Sequence, residues 1–172
     1  MNQHRTVEGA TGVGGRPPQL AKEVCFMQLN FRKSETTWIL CQQELNDKNL
    51  MPDIILVQDP PFSVCMGKNI FQGFRLIRPS ASGPCQAVIL VRGTLRYRAA
   101  RPFGPRVVGL ELMGTAGPIV VLSAYIRHSS GEGLHDLDKA LHWAKSRSPR
   151  VILGMDGNGH SPRSEEHTSE LQ

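Results

Sequence analysis

Short apolar runs, each cut off by Gly, Pro, Asn or Asp, recur along this chain, and only two stretches between them carry helical spacing. Such punctuation reads as short strands joined by turns. Val24 to Leu29 is apolar and closes on Asn30. Ser34 is placed to cap a helix beginning near Glu35, along which Trp38, Cys41, Leu45 and Leu50 recur until Met51-Pro52 ends it. Ile54 to Val57 is a β-branched run finishing at Gln58-Asp59, with Pro60-Pro61 as a hard stop. Further strands are predicted at 74–78, 87–91, 107–113 and 119–125. An amphipathic helix follows over 134–145, with Leu134, Leu137, Leu141 and Ala144 on one side, and a last strand over 151–153. This order suits an α/β protein with a mixed sheet or two packed sheets. Trp38 and Trp143 are expected in the core, and His135 and His142 on the surface of the second helix.

At 172 residues, 40% hydrophobic and 20% charged, the chain is long enough for one globular domain. It has no apolar run of the ~18 residues that a membrane span requires, and Met1 to Arg5 lacks the apolar stretch of a secretory signal. The expected location is the nucleus or cytoplasm, with no secretion and no membrane. Cys25, Cys41, Cys65 and Cys85 are spread out with no C-x-x-C pair, so partly buried free thiols are expected rather than a zinc site or disulfides. Residues 1–19 read as a flexible Gly/Pro-rich leader. Their Gly12 to Gly15 cluster has no strand before it and Pro17-Pro18 after it, unlike a phosphate loop.

The net charge of +5 is unevenly spread. No Asp or Glu occurs between Pro60 and Leu110, a stretch that carries Lys68, Arg75, Arg78, Arg92, Arg96, Arg98, Arg101 and Arg106. A block like this attracts a polyanion through salt-dependent phosphate contacts. Tyr97 and Phe103 lie within it, able to stack on bases or sugars. The alternative reading is a solvated basic surface loop.

Polar residues collect where the strands end: Asn30, Asp59, Tyr125, and Asp156 with Asn158. Strand ends are where α/β folds place their sites. Two acids with amides and a phenol form a plausible set for a hard divalent cation and a phosphate, although turns also favour Asn and Asp.

Four words sharpen this reading. Met27-Gln28-Leu29-Asn30, Val57-Gln58-Asp59-Pro60-Pro61, Ser123-Ala124-Tyr125-Ile126 and Met155-Asp156-Gly157-Asn158-Gly159-His160-Ser161-Pro162 stand in order at suitable intervals. They resemble the motifs of the endonuclease/exonuclease/phosphatase superfamily, and within it the apurinic-like endonuclease domain of non-LTR retrotransposons. The resemblance covers roughly residues 24–162. It implies a four-layered α/β sandwich of two mixed sheets flanked by helices, incomplete at its C-terminus, and hydrolysis of a DNA phosphodiester with Mg²⁺ or Mn²⁺. Under it, Asp59 holds the metal at the leaving oxygen and Asp156 takes a proton from the attacking water. Asn158 orients water or phosphate, Asn30 supports the carboxylate network, and Tyr125 bonds the scissile phosphate. Arg92, Arg96, Arg98, Arg101, Arg106 and Arg127 are the expected nucleic-acid contacts. Double-stranded DNA is the implied partner, with a reverse transcriptase domain on the same full-length polypeptide.

Three departures stand against the pattern. Asp59 occupies a position where Glu is usual, and Met155 and Gly157 replace the usual neighbours of Asp156. Nothing matches the later Ser-Asp-His word whose histidine stabilises the phosphate transition state. Residues 163–172 resemble a translated sequencing adaptor, so the partial domain is taken as 20–162. On this reading the chain is expected to fold poorly and to have little activity. The competing readings are an inactive element remnant that only binds nucleic acid, and a repair-type nuclease or phosphatase of the same superfamily.

Overall fold

A computed structural model describes residues 24–50, 52–79, 84–127 and 130–157. The leader over 1–19, the tail over 163–172, Asn158 and His160 lie outside the described residues. In chain order the elements are β1 (Phe26–Asn30), α1 (Glu35–Asp47), β2 (Ile54–Gln58), α2 (Phe62–Cys65), β3 (Phe74–Ile77), β4 (Ala87–Arg92), β5 (Tyr97–Pro102), β6 (Val107–Gly114), β7 (Gly117–Ile126), α3 (Leu134–Arg147) and β8 (Val151–Gly157).

The strands form two four-stranded mixed sheets, ordered β1-β2-β4-β3 and β5-β6-β7-β8. The β1–β2 and β7–β8 pairs are parallel, and the other pairs are antiparallel. The central strands are apolar on both faces because both faces are covered. Ile54, Leu56, Ile89 and Val91 of the first sheet meet Val108, Leu110, Leu112 and Val121 of the second between the layers. The outer face of the first sheet buries Trp38 and Leu45 of α1, and that of the second buries Leu137, Ala140, Trp143 and Ala144 of α3. Helix, sheet, sheet and helix make the four-layered sandwich that the sequence implied. Among the described residues, no helix is long and apolar enough to cross a membrane.

The local signals act as expected at α1: the Ser34 hydroxyl accepts the Thr37 amide at 3.1 Å. Both tryptophans are core residues, and His135 and His142 are exposed on α3. Leu134 and Leu50 are exposed, so the apolar stripes are shorter than their spacing suggested. Two elements differ from the sequence reading. The short α2 follows Pro60-Pro61, and the basic stretch around Arg98, where no strand is predicted, forms the edge strand β5, with an irregularity between Tyr97 and Ala99. An edge strand tolerates both charge and the Pro102 that ends it.

The sheets approach closely at Gly154 of β8. A Cβ there would stand 2.5 Å from Leu56 Cδ1 and 2.9 Å from Leu56 Cβ. Gly154→Ala is therefore expected to lower stability by about 1–3 kcal/mol through overpacking. Urea denaturation measures this, and a variant as stable as the parent would contradict so close an approach.

Candidate active site

In both sheets the parallel pairs bring strand C-termini together. Asn30 lies beside Gln58 across β1–β2, and Tyr125 beside Asp156 across β7–β8. Polar side chains then bridge the two sheets at this end. Gln58 is fully buried. Its Nε2 donates to Ser123 Oγ at 3.1 Å and to the Gly154 carbonyl at 3.3 Å. Ser123 Oγ donates in turn to the Val57 carbonyl at 3.2 Å. Gln28 Nε2 donates to the Met155 carbonyl at 3.0 Å. In a dry layer such bonds hold the sheets in one register, since a slip would strand buried polar groups.

This frame fixes four of the predicted site residues. Asn30 Nδ2 donates to Asp156 Oδ2, and Asn30 Oδ1 accepts the Arg32 amide at 2.8 Å. Asn30 thus ties the end of β1 to the end of β8. Asp59 sits just beyond β2, with the Tyr125 phenol beside its carboxylate. The Asp59 amide donates to the Gln86 carbonyl at 2.9 Å, and its own carbonyl accepts the Lys33 amide at 2.8 Å. These bonds hold Asp59 at φ +45°, a left-handed conformation. Asp enters this region more readily than Glu, whose side chain cannot bond its own backbone as closely. The residue before a proline avoids helical backbone, so the turn leaves Asp59 few conformations. The fifth predicted residue, Asn158, lies outside the described residues.

Burial pushes the Asp59 carboxyl above its ordinary range, with Asp156 adding to the rise. The Lys33 ammonium and the Tyr125 hydrogen bond pull the other way. Tyr125 is also raised, first by burial and then by the charges of Asp59 and Asp156, against Arg127. A centre that disfavours its own negative charges favours a cation. Asp59 Oδ1 is buried without a hydrogen-bond partner, a vacant hard oxygen donor of the type Mg²⁺ or Mn²⁺ takes. The cation's residues thus fit, although no cluster of three His, Cys, Asp or Glu occurs among the described residues. Waters and substrate oxygens complete the coordination of such ions.

Because the folded carboxyl is raised, Asp59 weakens the fold as pH climbs through its titration and costs nothing where it is protonated in both states. Asn keeps the shape and tolerates the left-handed backbone. Asp59→Asn is therefore expected to melt roughly 1–3 °C higher than the parent near neutral pH without divalent cations. The gain should vanish as pH falls below the carboxylate range. Differential scanning calorimetry across pH checks this, and a gain that grows on acidification would refute the sign.

The arginines divide between the two ends of the sandwich. Arg101, Arg106 and Arg127 lie at the site end, from the register Pro102–Val108 and Val107–Ala124. The Arg106 carbonyl accepts the Tyr125 amide at 2.9 Å, and the Arg106 guanidinium pairs with Glu132. Arg127 is exposed, 3.9 Å from Glu132. Arg101 is exposed over the Phe103 ring. Arg92, Arg96 and Arg98 lie toward the opposite end. Arg92 there pairs with Asp53 at 3.2 Å, and Arg98 reaches toward the buried Glu111 at 3.8 Å.

Sequence reasoning missed Lys33, which has no periodic signal; its charge acts on the Asp59 carboxylate from a turn in which Arg32 and Lys33 are both left-handed, at φ 48° and 62°. It also gave Gln58 and Ser123 no task. Their signal was present, since a Gln closing an apolar run and a Ser inside another must find partners when buried.

No protein-family model matches the sequence, and no curated protein matches it. Solved structures do. The endonuclease domain of TRAS1, a telomere-specific non-LTR retrotransposon, aligns with a TM-score of 0.61 at 20% identity, over 81% of this chain and 61% of that one. D. rerio TDP2 complexed with a single-strand DNA product aligns with a TM-score of 0.60 at 12% identity, over 85% and 65%. The human Nocturnin catalytic domain with bound sulfate anion gives 0.50 at 14%, over 72% and 56%. The chain has the endonuclease/exonuclease/phosphatase fold. It spans less than two thirds of the length of each of these three structures. Within that fold, Asn30, Asp59, Tyr125 and Asp156 meet at one end of the sandwich, where the C-termini of β1, β2, β7 and β8 converge.

Proposed function

We propose that this cluster is the centre of a divalent-metal-dependent endonuclease that hydrolyses a phosphodiester in double-stranded DNA, of the kind that nicks a target site for retrotransposition. The observation that carries the reading is the convergence of Asp59 and Asp156 from different sheets, with Asp59 Oδ1 buried and unpartnered. Asp59 is the residue that would hold Mg²⁺ or Mn²⁺, and the bound ion supplies positive charge at the leaving oxygen. The Asp156 carboxylate accepts the proton of the attacking water on one oxygen, with Asn30 bonded to Oδ2 and fixing the carboxylate's orientation. The Tyr125 hydroxyl donates to a phosphate oxygen. Asn158 orients water or phosphate, and Arg101, Arg106 and Arg127 hold the flanking backbone. DNA as substrate puts the place of action in the nucleus or cytoplasm, and a reverse transcriptase domain on the full-length polypeptide is the proposed user of the nick.

Nicking of supercoiled plasmid, with protein in excess over long incubations, tests this. Intact duplex should be nicked in Mg²⁺ or Mn²⁺ and spared in chelator, and an abasic site should confer no preference. Preference for the abasic site would favour a repair-type nuclease. The exposed Arg101 and Arg127 at the site end favour a second reading, a remnant that only binds nucleic acid. Its signature is binding that survives chelator, falls steeply with salt, and comes with no nick.

A further inference from the structure

Away from this cluster, two cysteines that are distant in sequence meet inside the first sheet's outer layer. Cys65 closes α2 and Cys85 precedes β4. Both are buried and neither is disulfide-bonded. Their sulfurs are 2.8 Å apart, and Cys65 Sγ also donates to the Cys85 carbonyl at 3.3 Å. Arg78 Nη1 donates to the Cys65 carbonyl, which sets a guanidinium beside the pair. Cys25 and Cys41 stand elsewhere, one exposed and one half-buried.

We propose that Cys65 and Cys85 form a reversible redox site, oxidised to an intramolecular disulfide by a hydroperoxide and restored by thiols. Approach of the sulfurs from 2.8 Å to the ~2.05 Å of a disulfide needs a shift of well under an ångström each. The Cys85 S–H that donates to Cys65 holds the Cys65 thiol below its ordinary range, with the Arg78 charge helping, while Cys85 is pushed up by the same bond. Cys65 is accordingly the attacking thiolate. It attacks one peroxide oxygen, the O–O bond breaks, and hydroxide leaves, giving a sulfenic acid on Cys65. Cys85 then attacks Cys65 Sγ: the S–S bond forms, the S–O bond breaks, and hydroxide departs with the Cys85 proton as water. In total the two thiols lose two protons and two electrons, and the peroxide is reduced to water. Hydrogen peroxide is little larger than water and suits a buried pair.

The bond would also stiffen the site. Gln86, next to Cys85, accepts the Asp59 amide at 2.9 Å and donates to the Pro105 carbonyl at 2.8 Å. A disulfide anchoring Cys85 to α2 therefore fixes the segment that holds the Asp59 turn. This consequence is structural and does not require the nuclease reading.

The test uses the full chain carrying Cys25→Ser and Cys41→Ser, which leaves the pair intact. After hydrogen peroxide, intact mass is expected to fall by about 2 Da with loss of both titratable thiols, and dithiothreitol should reverse both. The oxidised form should melt roughly 5–10 °C higher, and the Asp59 amide should exchange more slowly. Adding Cys85→Ser should replace the mass loss with oxygen addition at Cys65. Two thiols that persist, oxygen addition without any species about 2 Da lighter, or disulfides only between chains would each overturn the proposal.

Discussion

Asp156→Ala is expected to reduce Mg²⁺-dependent nicking of supercoiled plasmid by roughly 10²–10⁴-fold, to the level seen in chelator, because it removes the proposed base. The effect is chemical and not structural. Asp156 is half-buried at the end of an edge strand, and its hydrogen-bond partner Asn30 is exposed and can turn to water. The variant should melt close to the parent. Asp138→Ala, on the exposed face of α3, is the matched control and should nick normally. Parental nicking by Asp156→Ala would remove Asp156 from the mechanism whatever its position.

Trp38→Ala is expected to cost about 3–5 kcal/mol, the range for deleting a buried aromatic ring. Trp38 is fully buried. Its ring centroid is 4.7 Å from that of Phe31 and 4.6 Å from that of Phe71, and Nε1 donates to the Asn69 carbonyl at 2.8 Å. Truncation leaves a cavity among these rings and an unpaired carbonyl. A loss of that size approaches the whole stability of a small domain, about 5–15 kcal/mol. The site should feel it, since Phe31 follows Asn30 and its amide donates to the Gln58 carbonyl at 3.1 Å. Trp38→Phe keeps most of the packing and should lose about 1–2 kcal/mol with the hydrogen bond. Chemical denaturation distinguishes the two, and equal losses would mean that packing is not what Trp38 contributes.

The strands legible in the sequence were those buried on both faces. Ile54–Val57 and Ala87–Val91 are continuous apolar runs, and Val107–Met113 is apolar but for Gly109 and Glu111, because two layers cover them, and their limits were set by Pro and Gly. β5 escaped notice because an edge strand buries little: only Tyr97 and Ala99 turn inward, and its arginines break any apolar pattern. α2 is too short for periodicity to register. The candidate site was legible as a set of words but not as a geometry. No spacing could reveal that Gln58 and Ser123 lock the sheets, that Asp59 is left-handed, or that Lys33 is turned toward it. The basic block was read as one surface, yet antiparallel pairing sends Arg101 and Arg106 to the site end and Arg92, Arg96 and Arg98 toward the other. Nor could spacing bring Cys65 to Cys85, which meet only because α2 packs against the segment leading into β4.

Mn²⁺ binding followed by electron paramagnetic resonance, in the parent and in Asp59→Asn, tests the central claim most directly because it needs no turnover. The parent is expected to bind one ion per chain, displaced by excess Mg²⁺ and weakened as acid protonates Asp59, and Asp59→Asn should lose at least about tenfold in affinity. Equal binding by the two proteins, or none by a folded parent, would contradict a metal centre at the meeting point of Asp59 and Asp156.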